Sequence, residues 1–332
     1  MSHPVALTEI WRGPIIESLH LGHAIICDDR GDIVECWGDP DAVIYPRSSA
    51  KMIQALPLVE SGAADAFGLG TQQLALACAS HQGAAVHTDK VGAWMSQLGL
   101  NDGDFRCGPQ MPDDRAAFHA LIKKDESPCQ IHNNCSGKHA GFLTLGQHLK
   151  AGPDYIDPDH PVQKACLAAF EDVTGQTSPG FAPDGCSAPN SITTMRGMGR
   201  AMGWFSGAAE GRSTRDTAAA RLTQAMIAHP LLVAGERRAC TELMQACSEP
   251  VALKTGAEGY FVAIAPTRKR GIALKIADGA TRAANCTIAA LLVRIGVLAP
   301  DHPATRRFMN APIYNRNKIE TGQIKPVTGL IG

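Results

Sequence analysis

The sequence predicts an α/β chain of the α+β kind: an antiparallel sheet covered by helices, carrying an all-helical lobe. Three observations point there. Short strand patterns gather before residue 40 and return after residue 250. The stretch between is mainly helical in periodicity, with Gly- and Pro-rich loops. A last helical pattern follows the second strand group, placed to cover the sheet. Residues 1–70 and 212–332 then form one discontinuous sheet-plus-helix domain, and 71–211 the helical lobe. A site is expected at their seam.

Residues 5–10, 20–28 and 32–37 read as strands, and Asp28-Asp29-Arg30-Gly31-Asp32 turns the last two into a hairpin. Tyr45-Pro46-Arg47 leads into a helix predicted over 48–59. Met52, Ile53, Ala55, Leu56 and Val59 point to several sides of it, so it is expected to be buried. Pro57 should kink it by displacing the bond to the Ile53 carbonyl. Further helices are predicted over 72–79, 84–98, 115–124, 138–149, 161–174, 191–202 and 214–229. Residues 251–265 read as one strand. Arg268-Lys269-Arg270-Gly271 reads as a solvated hairpin tip before a strand at 272–276, and a helix over 280–297 follows. There is no internal repeat.

Composition excludes several classes of function. The 332 residues are 45% hydrophobic and carry 33 Gly and 21 Pro, as a packed globular chain does. A formal net charge of −1 leaves no global field for nucleic acid or an anionic membrane. The apolar run from Ile288 to Val293 stops at Arg294, far short of a bilayer span. The N-terminal residues show no signal-peptide pattern. Eleven cysteines, an odd number without framework spacing, fit a reducing compartment, and a cytoplasmic location is expected.

The chemistry concentrates in a few motifs. Ser48-Ser49-Ala50-Lys51 is a Ser-x-x-Lys quartet, which chance alone would supply about half a time in this composition. Lys254-Thr255-Gly256 is much rarer by chance. In this order the two are the first and last active-site elements of serine amidohydrolases such as β-lactamases and penicillin-binding proteins. A serine hydroxyl is a poor nucleophile until a base takes its proton, and a lysine can do so when burial or another cation lowers its pKa. Alone, the quartet reads first as a helix cap with a solvated lysine. The apolar surroundings argue against that, because a buried lysine needs a partner.

Ala79-Ser80-His81-Gln82-Gly83 is either a helix C-cap or a second hydroxyl for the site, paired with Lys254; His81 is a possible base or a structural residue. His132-Asn133-Asn134-Cys135-Ser136-Gly137-Lys138-His139 packs reactive groups into one helix start. With Asp184-Gly185-Cys186 it could form a metal site, for which ordinary ligand chemistry favours Cys135, Cys186 and His139. Arg47 could anchor a substrate carboxylate, and Cys240 could place a thiol in the pocket or simply pack.

Taken together, Tyr45–Lys51, Cys78–Gly83, Asn134–His139, Asp184–Cys186 and Lys254–Gly256 resemble the rhizobial-type L-asparaginase II family, from the N-terminus to about Asp278. The Cys-Ser-Gly-Lys-His block is the most specific part; the tail after about Leu298 adds little. The resemblance implies a fold similar to serine β-lactamases and glutaminases, a homodimer, and hydrolysis of L-asparagine. It implies two Ser–Lys pairs, Ser48 with Lys51 and Ser80 with Lys254. It also implies zinc held by Cys135, Lys138 and Cys186, with Asp184, His139 and Cys240 nearby, and so replaces His139 by Lys138 in the ligand set. A glutaminase, a penicillin-recognising hydrolase and a non-catalytic zinc-dependent sensor are the alternatives.

Overall fold

A computed structural model describes residues 3–331. The chain divides into two compact units, Met1–Ser49 with Thr193–Gly207 and Ala239–Gly332, and Ala50–Ile192 with Ala208–Arg238. The boundaries expected at 70/71 and 211/212 therefore move. Residues 50–70 and 212–238 go with the helices, and the segment 193–207 goes with the sheet.

The first unit is built on eight antiparallel strands: β1 (Val5–Arg12), β2 (Ile15–Asp28), β3 (Ile33–Trp37), β4 (Ala252–Gly256), β5 (Tyr260–Ala265), β6 (Arg270–Ile276), β7 (Ala311–Tyr314) and β8 (Glu320–Pro326). Their order is β7-β8-β1-β2-β6-β5-β4, with β3 also on β2. The stretch 251–265, expected as one strand, is a hairpin. Glu258 and Gly259 both adopt positive φ, 59° and 70°, and two successive left-handed residues reverse the chain between Gly256 and Tyr260. The tail is also structural, since β8 pairs with β1 from Thr8↔Pro326 to Arg12↔Gly322.

Helices cover both faces of this sheet, which is why β5 is buried at every residue rather than at alternate ones. Register places Ile25 opposite Ala273 and Ile26 opposite Ile272, so alternate residues face opposite sides. Helix Met195–Gly207 presses on the Ile25 side. A Cβ on Gly199 would lie within 3.0 Å of Ile25 and Cys27, and one on Gly271 would lie 2.0 Å from the Gly203 nitrogen. Helix Thr281–Arg294 takes the other side, where Thr8 Oγ1 meets the Ala283 carbonyl and Thr287 Oγ1. The helix expected from 191 starts at Met195 because Thr193–Thr194 pairs with Val43–Ile44.

The second unit centres on helix Ser136–His148, whose residues Ser136 through Gly146 are all buried. It approaches helix Thr71–Ala77 so closely that a Cβ on Gly137 would lie 2.4 Å from the Leu76 carbonyl oxygen. The helix expected over 48–59 is three pieces: a 3-10 turn at Arg47–Ala50 and helices Lys51–Gln54 and Leu56–Glu60. Pro57 does not kink a continuous helix. It sits in the first turn of the last piece, where its missing N–H costs nothing.

Candidate active site

Arg47 precedes Ser48 with φ 52°, a left-handed conformation unusual for a residue with a side chain. Ser48 follows, half-buried, and the turn runs directly into Lys51. Its neighbour Ser49 is fully buried and committed elsewhere, donating from Oγ to the Lys254 carbonyl at 3.1 Å. Of the two adjacent serines, Ser49 is a strut that fixes the turn against β4. Lys254 is itself 1% exposed, and its Nζ donates to the Thr255 carbonyl at 2.7 Å. Cys240 Sγ accepts the Thr255 N–H at 3.2 Å, which places that thiol beside the Lys-Thr-Gly strand.

In the helical unit Lys51 is 1% exposed. Its Nζ meets three acceptors: the Ala79 carbonyl, Ser80 Oγ at 2.9 Å and Cys135 Sγ at 3.1 Å. All three contacts lie on groups far from residue 51 in the chain. They also put a lysine amine in direct reach of a serine hydroxyl inside an apolar core, the arrangement proton transfer needs.

Cys135 borders a second cluster. Lys138 Nζ donates to Cys186 Sγ at 3.0 Å, with all three side chains buried. Cys186 is held at the tip of a tight turn in which Asp184 bonds to the Ala188 carbonyl and Ser187 to the Asp184 carbonyl. Ser187 there has φ 69°. Hydrogen bonding from Cys135 drives the Cys186 thiol well below the ordinary range, with help from the Lys138 charge. The same bond to Cys186, together with burial, drives Cys135 well above it. Burial pulls Lys138 down, but the two sulfurs outweigh it and its proton is held more tightly than in a free lysine. The cluster thus reads as a thiolate beside an ammonium, with a protonated thiol next to both.

His139 does not join this set as a ligand. Tyr155 Oη accepts the Arg106 N–H at 2.7 Å and lies 2.8 Å from His139 Nδ1. The His139 ring is buried close enough to Cys186 for that sulfur to offset part of the burial that lowers the His139 pKa. No group of three His, Cys, Asp or Glu side chains among the described residues is arranged to hold an ion, so the set Cys135, Cys186 and His139 does not form. The donors that do converge include an amine, Lys138.

The L-asparaginase II family model matches residues 8–326. The chain belongs to the L-asparaginase II family. The match takes in the C-terminal strands, so family likeness does not fade near Asp278 but runs through β8. No curated protein sequence matches the chain. Among solved structures it is similar to Mglu in its tris and glutamate form, at 12% identity and TM-score 0.49, covering 91% of this chain and 64% of that one. The chain therefore spans less than two thirds of that protein's length. A putative β-lactamase from Bacteroides dorei matches at 11% and TM-score 0.42, covering 77% of this chain and 84% of that one. A β-lactamase from Mycobacterium bovis matches at 11% and TM-score 0.42, with 80% and 89% covered.

Within this family member, the helical unit brings together Lys51, Ser80, Cys135, Lys138 and Cys186, and the sheet unit brings Cys240 to Thr255, next to Lys254 in the chain. Asp184 shapes the Cys186 turn and stands near enough to Lys138 to help hold its proton. Sequence reasoning missed the Lys51–Cys135 contact and the parts played by Ser49 and Tyr155. Nothing in the spacing signals a contact between residues 51 and 135. Ser49 was visible as half of a Ser-Ser pair.

Proposed function

We propose that this family member is an L-asparaginase, hydrolysing L-asparagine to L-aspartate and ammonia through a serine acyl-enzyme. The observation that carries the reading is the buried Lys51 amine in hydrogen-bond contact with a serine hydroxyl, three residues after a half-exposed serine. Ser48 Oγ attacks the side-chain amide carbon and its proton passes to Lys51. The C–N bond breaks as the leaving nitrogen takes up a proton through Ser80, which the resemblance pairs with Lys254, and departs as ammonia. Water then repeats the attack on the ester, releasing aspartate and restoring Ser48. Arg47, ahead of the nucleophile, suits the substrate carboxylate. The Lys51–Ser80 contact supports a second reading, in which Ser80 is the attacking residue and Ser48 the relay.

Cys135, Cys186 and Lys138 suit zinc by donor chemistry: two sulfurs and an amine. When bound, zinc supplies a fixed positive charge beside the substrate pocket. His139 and Asp184 then orient substrate and ligands rather than hold the ion. The eleven cysteines, an odd number without framework spacing, suit a reducing, cytoplasmic setting. No helix among the described residues is long and apolar enough to cross a membrane. A homodimer with a small-molecule substrate, and no nucleic acid, completes the reading.

Ammonia release from purified protein tests it, with L-asparagine, L-glutamine and nitrocefin run in parallel. Turnover of asparagine above glutamine is the expected result. Turnover of glutamine alone makes the chain a glutaminase, and nitrocefin turnover makes it a penicillin-recognising enzyme. Zinc binding without turnover makes it a sensor.

A further inference from the structure

His81 follows the Ser80 hydroxyl directly, and its ring is buried completely. Gly83 N–H donates to His81 Nδ1 at 3.1 Å, so that nitrogen carries the lone pair and Nε2 carries the hydrogen. Nε2 lies 2.9 Å from Ser136 Oγ, which therefore accepts. The ring stacks on His87, with centroids 4.8 Å apart and planes 11° from parallel. His87 is itself tied through Nε2 to the Leu231 carbonyl at 3.0 Å. Its lone pair taken by Gly83, His81 has nothing with which to remove a proton. It is no general base.

Both partners sit one residue from a contact of Lys51: His81 beside Ser80, and Ser136 beside Cys135. The main chain repeats the link, since His81 N–H donates to the Asn134 carbonyl at 3.2 Å. Ser80 N–H is held in turn by the Val233 carbonyl at 2.9 Å. We propose that His81 and Ser136 are a positioning pair: their side-chain bond braces the Ser80 loop against the start of helix Ser136–His148 and so holds Ser80 Oγ and Cys135 Sγ at the spacing Lys51 Nζ spans. Neither residue touches Lys51. This inference rests on the serine-hydrolase reading above for its kinetic consequence, but its geometric content does not depend on the substrate.

The geometry of the pair also says what repairs it. Ser136→Ala removes the acceptor without changing the helix, while Ser136→Thr keeps a hydroxyl at the same atom. His81→Gln places an amide N–H near the Nε2 position. Ser136→Ala should lower kcat for the hydrolysed amide by about 10- to 100-fold while KM stays within about 3-fold, and Ser136→Thr should recover most of it. The substrate-independent arm is a crystal structure of Ser136→Ala, together with the rate at which a sulfonyl fluoride modifies the active-site serine, read by intact mass. The expected result is a Ser80 Oγ displaced from Lys51 and slower modification, with Ser136→Thr and His81→Gln closer to the parent. If Ser136→Ala keeps both Lys51 contacts and the parent rate of modification, the brace is refuted. Absence of turnover in the parent protein overturns the asparaginase reading alone, because structure and labelling still decide the brace.

Discussion

Lys51 Nζ lies 3.1 Å from Cys135 Sγ, so the lysine expected to serve the serines also touches the edge of the thiol cluster. The two centres read as separate motifs in the sequence meet at one amine. Replacing that amine tests the join.

Lys51→Met keeps the length of the side chain and removes a buried amine. Turnover should fall by roughly 10³-fold or more, while the thermal midpoint holds or rises, because a buried polar group is replaced by an apolar chain. Ammonia release and a melting curve check both. A melting point far below the parent would make Lys51 a structural residue first.

Ser48→Ala and Ser80→Ala separate the two candidate nucleophiles. Loss of the Ser48 hydroxyl should abolish turnover and acyl-enzyme formation, at a stability cost below about 1 kcal/mol. Ser80→Ala should retain a trappable acyl-enzyme. Intact mass after quenching with substrate reads the outcome, and an adduct in Ser48→Ala but not Ser80→Ala reverses the assignment.

Zinc should bind with release of protons. Lys138 holds its proton above the ordinary range and Cys135 well above it, and both must give it up to ligate. Affinity should therefore fall steadily as pH falls from 9 to 6. Calorimetry in buffers of different ionisation enthalpy counts the protons, and Cys186→Ala should remove most of the zinc while raising KM more than it lowers kcat. Proton-neutral binding would exclude this ligand set.

Acid should unfold the metal-free protein in a defined window. Burial lowers His139 to about 4, and lowers His81 well below its ordinary 6.5, with His87 beside it lowered as well. In the unfolded chain these rings take up protons near 6.5, whereas in the folded chain they do not. Their contribution is thus complete above pH 6.5 and is lost as pH falls below it toward 4, at about 1.4 kcal/mol per pH unit for each ring. Urea midpoints between pH 7.5 and 5 measure the slope, and His87→Phe should reduce it. A flat profile would mean that the rings are solvated.

Gly203→Ala tests the packing that seats the sheet. Its Cβ would lie 2.1 Å from the Asp28 carbonyl oxygen, a backbone atom that cannot swing aside. A loss on the order of 3 kcal/mol is expected in urea unfolding, from strain alone. A loss under about 1 kcal/mol would show that helix and strand separate freely.

Periodicity made most helices legible, because a 3.6-residue apolar stripe needs only local sequence; Arg115–Lys124 and Pro161–Thr174 fall where the pattern puts them. The 48–59 segment was harder, since it is apolar on several sides and its breaks at Ala50 and Ala55 leave the stripe unchanged. The 251–265 hairpin escaped because β5 is covered on both faces and does not alternate. The tail strands escaped because their partner, β1, lies some 300 residues upstream in the chain.

By itself the sequence determined the reactive inventory: Ser48, Lys51, Ser80, Cys135, Lys138, Cys186 and Lys254, the short-range order of each motif, and the family to which those motifs belong. Spacing of three or four residues is a statement about one helical turn, and a chain carries such information locally. Tertiary structure decided everything that depends on groups far apart in the chain. It set the Lys51 amine against Ser80 and Cys135, tied Ser49 to the Lys254 carbonyl, and packed the His139 ring against Tyr155. Proton positions and partners inside a dry core follow from which acceptors the fold brings within 3 Å, and no count of residues along the chain contains that distance.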